Sequence, residues 1–312
     1  MAPQPEFSVV IPTRNEGARL AAAVRSIATG RSHEFPLEIV IIDDASSDGC
    51  CGDICALVES WPGLQATVVR LEQWSGIPYA RNVGAKEAHA DTLIVTDANV
   101  EFPLNWDLAI RRARRRNRVL CGTIVDQQSS FRGYGCSLEF PSLGVRWLRD
   151  PLAHGGYVPV APCTCTVIAA ALFARLGGYD DRMPVYGAAE PEFSVRMWLM
   201  GVDVVCLPEL LIRHRFRPPS ERAPFLDRIR TIQTHNYLRF GILYLSDRQL
   251  LQTMQHHALG DPDGFQEALQ TVAGGDVWTR RELLRRSFHR SFGWYAMHFG
   301  LRDRNGRTLT DS

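Results

Sequence analysis

Residues 37–44 read LEIVIIDD, an apolar and largely β-branched run that ends in two carboxylates. Such a run is typical of a strand that is buried on both of its faces. A similar run, FSVVIP, occupies residues 7–12, and apolar residues at helical spacing fill residues 18–29 between the two. The stretch therefore predicts two neighbouring strands of a parallel sheet, joined by a crossover helix.

Strand-like and helical segments continue to alternate along the chain. Further strands are predicted at 67–71, 92–97, 119–125 and 202–207, and further helices at 79–89, 106–117, 171–176 and 191–200. Polar residues follow the strands at their C-terminal ends, where open α/β sheets bind ligands. We therefore predict an α/β fold in which helices cover the sheet.

The pattern of segments suggests a domain organisation. We expect one domain over residues 1–223, which divides at about residue 100, followed by a helical extension over residues 224–312. Residues 129–156 are rich in Gly, Pro and aromatic residues and have no clear period. They predict a long loop, of the kind that often serves as a lid or an acceptor-binding loop.

The composition narrows the class of protein. The chain has 312 residues, of which 45% are hydrophobic, and its 35 basic and 34 acidic residues give a net charge of +1. This balance does not favour a nucleic-acid binder that works through bulk electrostatics. We find no run of about 18 apolar residues and no signal-peptide layout, so we expect no transmembrane segment and a cytoplasmic location.

The eight cysteines do not indicate a disulfide framework, because the chain is long and no signal peptide is predicted. Cys50, Cys51 and Cys55 lie close together in the sequence. A zinc site would need a second cysteine pair or paired histidines nearby, and none accompanies them. We interpret this cluster as structural or incidental.

The predicted strand at 92–97 ends in Asp97-Ala98-Asn99. Alternate residues of an extended segment point the same way, so Asp97 and Asn99 could share one cation. Oxygen ligands of this kind suit Mg²⁺ or Mn²⁺ bound to substrate phosphates. By itself the pattern is more typical of a turn than of a metal site, so the metal interpretation depends on the surrounding sequence.

Three short segments at the strand ends provide that context. PTRNE at 12–16 closes the first strand, DDASSD at 43–48 closes the second, and ARN at 80–82 lies in the helix before Asp97. In this order and at these places they resemble the family 2 glycosyltransferases of the GT-A fold.

The second half of the chain resembles a narrower group. GYD at 178–180, YGAAEPEFSVRMW at 186–198 and HRFR at 214–217 look like the polypeptide N-acetylgalactosaminyltransferases and their bacterial relatives. The likeness covers about residues 7–217. It implies the GT-A (Rossmann-like) fold of nucleotide-diphospho-sugar transferases, with a mixed sheet flanked by helices, and it makes residues 1–223 a catalytic domain with a nucleotide-binding half (1–100) and an acceptor half (101–223). Residues 224–312 lie beyond the likeness, and their helical patterning, broken at Gly260 and Pro262, predicts a C-terminal helical extension.

The resemblance implies a UDP-sugar donor and gives roles to residues at the strand ends. Thr13 and Glu16 would lie near the uridine, and Asp44 would accept a hydrogen bond from the uracil ring. Arg81 would lie near the diphosphate or brace the strand-end carboxylates. The full nucleotide-binding set that it implies is Pro12, Thr13, Arg14, Glu16, Asp44, Gly76, Arg81, Asp97 and Ala98.

The same resemblance implies a divalent cation held by Asp97 and Asn99, with His214 as the third protein ligand. A histidine ligand suits Mn²⁺ better than Mg²⁺, so we expect Mn²⁺, with Mg²⁺ as the alternative. Without this resemblance, we would interpret His214 as a surface histidine beside arginines.

Two glutamates, Glu190 and Glu192, are the candidate catalytic carboxylates. The family pattern is Glu-Asp-x-Glu-Leu, in which the aspartate often acts as the acceptor base, and Glu190 falls at that position. Ala189 replaces the preceding glutamate of the pattern. A carboxylate at 190 favours inversion of the anomeric configuration. The alternative interpretation is that both glutamates stabilise the positive N-terminal end of a helix.

Other functions remain open at this point. The chain could be a retaining, peptide-modifying N-acetylhexosaminyltransferase, a non-catalytic nucleotide-sugar-binding protein, or an inactive scaffold, since Ala189 and Asn99 replace acidic residues. A nucleotidyltransferase is disfavoured, because residues 7–17 read FSVVIPTRNEG instead of a glycine-rich loop. The sequence leaves the acceptor open between a peptide, a glycan, a lipid-linked glycan and a natural product. It also leaves open whether the C-terminal helices join two copies of the chain.

Overall fold

The computed structural model describes residues 4–303 and 305–310. Its strands are β1 (Phe7–Thr13), β2 (Leu37–Asp43), β3 (Leu64–Arg70), β4 (Thr92–Thr96), β5 (Val100–Glu101), β6 (Arg118–Asp126), β7 (Arg132–Gly133), β8 (Cys136–Leu138), β9 (Val145–Trp147), β10 (Cys165–Ala169) and β11 (Asp203–His214).

The helices fall into two groups along the chain. Those interleaved with the strands are α1 (Ala18–Gly30), α2 (Ile54–Glu59), α3 (Ile77–Glu87), α4 (Trp106–Ala113), α5 (Ala170–Leu176) and α6 (Ala189–Leu199). Those that follow the last strand are α7 (Pro219–Arg228), α8 (Arg230–Tyr244), α9 (Asp247–Gly260), α10 (Phe265–Ala273), α11 (Val277–Arg286) and α12 (Phe292–His298).

The strands form one large mixed sheet and a small hairpin. The order in the large sheet is β3-β2-β1-β4-β10-β6-β11-β5, and β7 pairs with β6 at its side. Strands β1 to β4 are parallel, as the alternation of segments predicts, whereas β10 runs antiparallel to both β4 and β6. The prediction of a mixed sheet flanked by helices is therefore confirmed.

The run LEIVIID is buried on both faces because helices cover the sheet from both sides. Ile39 and Ile41 of β2 pack in one cluster with α1, while Val40 and Ile42 pack in another cluster with Ala80 of α3. Successive side chains of a strand point to opposite faces, so the continuous apolar run is what two covered faces require. The carboxyl ends of these strands carry polar residues, among them Thr13, Asp43 and Asp44.

The C-terminal helices pack on the second half of the sheet. Phe240 and Leu243 of α8 share a hydrophobic cluster with Phe193 and Trp198 of α6. The helical extension that the sequence pattern predicts is thus present, and in the described part of the chain it shares the hydrophobic core that lies around α6. None of the described helices has both the length and the apolar character that a membrane crossing needs.

Two regions differ from the sequence-based prediction. Residues 129–156 contain the short strands β7, β8 and β9 and one turn of 3₁₀ helix at Ala153–Gly156, where we predicted a loop without secondary structure. Strand β11 continues past the predicted end at residue 207, because its pairing with β6 shifts register between Leu207 and Leu211 and then resumes. This extension brings His214 to the polar end of the sheet.

Candidate functional site

Arg81 is the centre of a charged cluster at the polar end of the sheet. It lies in α3, only 1% exposed, and its Nη1 donates to Glu190 Oε1 at 3.0 Å while Nη2 donates to Asp97 Oδ1 at 3.2 Å. A buried guanidinium is costly unless carboxylates compensate its charge. Arg81 therefore fixes Asp97 and Glu190 on either side of itself, which is the bracing role that the resemblance allowed for it.

Asp97, Asn99 and His214 come together at the ends of two strands. Asp97 directly follows β4, and His214 is the last residue of β11, where it pairs with Val100 of β5. His214 Nε2 lies 4.0 Å from Asp97 Oδ2, and Asn99 Nδ2 donates to the Arg215 carbonyl at 2.9 Å. Pairing of β5 with β11 is thus what joins the distant histidine to the Asp97-Ala98-Asn99 segment.

The environment of His214 favours the neutral imidazole. Burial lowers the pKa of His214, against the opposing effect of the Asp97, Asp126 and Glu16 carboxylates. Its Nδ1 is buried and has no hydrogen-bond partner among the described residues. A neutral imidazole is the form that binds metal ions.

The donor atoms at this site fit a divalent cation that is shared with a substrate. Two ligand atoms at about 2.1 Å from one ion are at most about 4.2 Å apart, so the 4.0 Å between Asp97 Oδ2 and His214 Nε2 is compatible with a common ion. Within residues 4–303 and 305–310, no group of three or more His, Cys, Asp and Glu side chains could hold a metal. A cation here would need the Asn99 amide oxygen and further ligands from the substrate.

Glu190 is the carboxylate that remains accessible. It lies in the first turn of α6, its side chain is 22% exposed, and Arg81 holds its Oε1. The Oε2 atom has no hydrogen-bond partner in the described part of the chain. Tyr237 of α8 faces the same region: burial, and then the Glu190 carboxylate, raise the pKa of Tyr237 to about 12.

The structure corrects the assignment of Glu192 as a catalytic residue. Its side chain is fully buried, and Arg196 donates to both carboxylate oxygens, from Nε at 3.0 Å and from Nη2 at 2.8 Å. The hydroxyl of Tyr244 also donates to it. One turn of helix separates Glu192 from Arg196, so the pair forms within α6 and faces the core. Glu192 is a structural residue.

The predicted nucleotide-binding residues lie together at the ends of β1 and β2. Arg14 donates from Nη1 to the carbonyls of Asp44 and Ala45 at 2.5 and 2.9 Å, and its guanidinium lies 4.8 Å from the ring centroid of Trp74. Pro12 and Thr13 are buried beside it in the strand end. This arrangement leaves an exposed aromatic ring and a cation next to the strand ends.

Asp44 has a different set of partners from the one that the resemblance implies. It is buried, and its two carboxylate oxygens accept the backbone N–H groups of Ser75 at 2.7 Å and Gly76 at 2.9 Å. Asp44 thereby holds the turn that starts α3. A uracil base would have to use the remaining lone pairs of this carboxylate.

Gly76 and Glu16 connect this region to more distant segments. Gly76 has a φ of 92°, and a Cβ on it would lie 2.2 Å from the Val185 nitrogen, so only glycine fits. Glu16 binds Arg19 at 3.0 Å and also Arg217, which follows β11. Ala98 is buried between the two metal-site candidates. All the predicted nucleotide-binding residues therefore lie at one end of the sheet.

Two cavities open on the surface near these strands. The smaller, of about 110 Å³, lies beside Asn99 and is lined by Arg19, Arg215 and Arg217 among others. The larger, of about 420 Å³, lies between α1 and α2 and includes Cys50, but none of the predicted site residues lines it. Of the predicted site residues, Asn99 lines the smaller cavity, whereas Arg81, Asp97 and Glu190 are not among its lining residues.

Comparison with known proteins agrees with this geometry. The model of the family "Glycosyl transferase family 2" matches residues 8–177. Polypeptide N-acetylgalactosaminyltransferase 5 of Mus musculus is 25% identical over 88% of this chain, and N-acetylgalactosaminyltransferase 6 of Drosophila melanogaster is 26% identical over 95% of it. The chain spans only 30% and 45% of the length of these two relatives.

Two solved structures share the fold. The crystal structure of GalNAc-T7 with UDP, GalNAc and Mn²⁺ aligns with 95% of this chain and 57% of its own, at a TM-score of 0.76 and 20% identity. Mannosyltransferase PcManGT from Pyrobaculum calidifontis in complex with GDP-Man and Mn²⁺ covers 95% of this chain and 84% of its own, at a TM-score of 0.58 and 18% identity. These likenesses establish the fold.

Proposed function

The chain belongs to glycosyl transferase family 2, and we propose that it is a metal-dependent enzyme that transfers a sugar from a UDP-sugar to an acceptor with inversion. The observation that carries this proposal is the buried Arg81, which holds Asp97 on one side and Glu190 on the other. A cation-binding carboxylate and a candidate base are thereby kept a fixed distance apart, as transfer between a leaving diphosphate and an incoming acceptor requires.

Asp97, Asn99 and His214 would hold the divalent cation. Two oxygen donors and one imidazole nitrogen favour Mn²⁺, with Mg²⁺ as the alternative. When bound, the cation would neutralise the charge that develops on the leaving diphosphate. Two proteins of the same fold, GalNAc-T7 and PcManGT, have structures with Mn²⁺, the first with UDP and the second with GDP-Man, which supports a divalent metal as the cofactor.

Residues at the ends of β1 and β2 would bind the nucleotide. Thr13, Arg14 and Glu16 lie at this edge, and the ring of Trp74 offers a surface for a base to stack on. Asp44 would contribute by fixing the turn that begins α3, with any direct contact to uracil made through its remaining lone pairs. We propose uridine as the base on the strength of the resemblance to the N-acetylgalactosaminyltransferases.

Glu190 would act as the acceptor base. Its Oε1 is held by Arg81 and its Oε2 is free to take the proton of an acceptor hydroxyl. As the acceptor oxygen forms its bond to the anomeric carbon, the bond from that carbon to the diphosphate oxygen breaks, and the hydroxyl proton moves to Glu190 Oε2. Attack from the face opposite the leaving group inverts the configuration.

A second candidate is a retaining transferase of the peptide-modifying type. It is favoured by the similarity to two N-acetylgalactosaminyltransferases over 88% and 95% of the chain. Retention would leave Glu190 without a role as base. The anomeric configuration of the first product, observed by NMR before mutarotation, distinguishes the two candidates.

The experiment that tests the proposal is a donor screen. UDP or GDP release from common nucleotide sugars is measured with Mn²⁺, with Mg²⁺ and with EDTA, in the presence of pooled peptide and glycan acceptors. We expect release from a UDP-sugar that requires Mn²⁺ or Mg²⁺. Absence of turnover with every donor, together with metal-independent UDP binding, would instead support a non-catalytic protein.

A further inference from the structure

The segment Pro184–Ala188, here called the 184–188 loop, has a strained backbone. Val185 and Ala188 have positive φ angles of 61° and 62°, and Gly187 has a φ of 104°. A positive φ is unfavourable for any residue with a Cβ and especially for a β-branched one such as valine. Strain of this kind persists only where surrounding contacts enforce it, and it concentrates at functional sites.

Helix α8 provides contacts that enforce this conformation. Asn236 is completely buried, and its Nδ2 donates to the carbonyls of Pro184 at 2.9 Å, Gly187 at 3.1 Å and Tyr186 at 3.3 Å. The two N–H groups of one amide are thus shared among three carbonyls of a single loop. No other residue type of this size could donate in the same way without carrying a charge.

The opposite side of the loop is held by the start of α3. Ile77 N donates to the Val185 carbonyl at 3.1 Å, and Gly76 pairs with Val185 through the backbone. The loop is therefore clamped between α3 and α8. A change at either clamp would alter the position of the loop relative to both helices.

The two helices next to this clamped loop carry the two residues of the proposed catalytic contact. Arg81 lies in α3, just after Gly76, and Glu190 lies in the first turn of α6, just after Ala188. The 3.0 Å contact between Arg81 and Glu190 requires both helices to keep their register with the loop. Asn236 lies one residue before Tyr237, and burial and then the Glu190 carboxylate raise the pKa of the Tyr237 phenol.

A second contact fixes α8 against the segment that leads into the loop. Arg239 donates from Nε to Asp180 Oδ2 at 2.8 Å and from Nη2 to Oδ1 at 3.2 Å, and it also binds Asp276 of the turn before α11 at 2.8 Å. Asp180 is fully buried, so these bonds are shielded from water. Helix α8 is therefore anchored at both Asn236 and Arg239.

We propose that Asn236 is a positioning residue for transfer: through the 184–188 loop it sets the place of Glu190 relative to Arg81. This inference rests on the proposed function. The C-terminal helices, which the sequence presents as an extension without assigned role, thereby form part of the active-site support, and the catalytic unit extends beyond residue 223.

The test compares Asn236→Asp with Thr234→Val. The first keeps the size of the side chain but replaces the donor group with an acceptor. The second is the matched control on the same helix: Thr234 is also buried, and its hydroxyl binds Asp261 Oδ2 at 2.9 Å, away from the loop. For Asn236→Asp we expect kcat per folded molecule to fall about 10- to 100-fold while the donor KM stays within about threefold, because misplacing a reacting group affects the chemical step. Thr234→Val should keep its kcat.

Hydrogen exchange supplies a readout that does not depend on activity. The backbone amides of residues 185–190 other than proline should exchange faster in Asn236→Asp and at the wild-type rate in Thr234→Val. An unchanged kcat together with unchanged exchange in Asn236→Asp would overturn the inference while leaving the proposed function intact. If Asn236→Asp does not fold, Asn236→Ser, which retains one donor and adds no charge, is judged by the same outcomes. If the wild-type protein transfers no sugar, the proposed function fails, and hydrogen exchange alone decides whether Asn236 holds the loop.

Discussion

Arg81 donates to Glu190 at 3.0 Å across 109 residues of chain, and the same guanidinium reaches Asp97. Arg81 belongs to α3, in the first hundred residues, whereas Glu190 lies in the first turn of α6. This one side chain therefore sets the distance between the proposed cation ligand and the proposed base. Removing it would leave two carboxylates in a partly buried site without a compensating charge.

Asp97→Ala should abolish metal-dependent UDP binding, because it removes the carboxylate that the proposed cation shares with Asn99 and His214. Calorimetric titration of UDP with Mn²⁺ and with EDTA measures this. The control is Asp91→Asn, an exposed carboxylate just before β4, at the opposite end of that strand. An Asp97→Ala protein that binds UDP with wild-type affinity and metal dependence would contradict the assignment.

Glu190→Gln should retain UDP affinity and lose about 10²-fold or more in turnover. The amide oxygen can still accept a hydrogen bond from Arg81, but the amide cannot take the proton of the acceptor hydroxyl. The measurement is kcat at saturating donor, alongside UDP affinity. Glu209→Gln, an exposed carboxylate on β11, serves as the control. Turnover near the wild-type value in Glu190→Gln would exclude the base role and favour the retaining alternative.

Glu192→Gln should lower the free energy of unfolding by about 3–5 kcal/mol, because it leaves the buried Arg196 charge without its partner. Urea denaturation of the variant and of the exposed control Glu282→Gln measures the difference. We expect the fraction of Glu192→Gln that folds to keep its turnover, in contrast to Glu190→Gln. A loss of turnover without loss of stability would restore Glu192 as a catalytic candidate.

Acid should destabilise the protein through His257. Burial is the main cause that lowers the pKa of His257, to about 4. The imidazole ring stacks on Tyr237, and its Nε2 lies 2.9 Å from the Ser142 carbonyl oxygen. The unfolded chain takes up this proton near pH 6.5 and the folded chain only near pH 4. The stability that the neutral ring contributes is therefore present above pH 6.5 and is lost as the pH falls from 6.5 to 4.

The measurement for His257 is the thermal unfolding midpoint between pH 7.5 and 4. His257→Gln should show a smaller fall in midpoint over this range than the wild-type protein. His33→Gln, an exposed residue in the loop after α1, should behave as the wild type does. Equal slopes for all three proteins would contradict the prediction.

Much of the nucleotide-binding half could be predicted from local sequence. The runs at 7–12 and 37–44 are apolar without interruption, so they are recognisable as strands covered on both faces, and the structure confirms the parallel sheet that they predict. The polar segments PTRNE and DDASSD directly follow these runs, so the sequence also indicated which edge of the sheet is polar. The short strands β7 to β9 could not be predicted, because two or three residues are too few to show a period.

Glu190 and Glu192 show where sequence reasoning was insufficient. Both stand in the first turn of one helix, and the sequence offered both as catalytic carboxylates. Only the packing of α6 against α8 determines that Glu192 faces Arg196 and Tyr244 in the core while Glu190 stays partly exposed beside Arg81. The part played by Asn236 had no sequence signal, because a lone asparagine in a helix has neither a period nor a motif.

The sequence by itself determined the alternation of strands and helices, the polar edge of the sheet and the residues that resemble family 2 glycosyltransferases. These features are local, since they depend on side-chain periodicity and on short segments at strand ends. The tertiary structure decided that His214 meets Asp97, that Arg81 joins Asp97 to Glu190, and that α8 holds the loop before Glu190. Those contacts join residues far apart in the chain, and strand pairing and helix packing bring them together only in the folded protein.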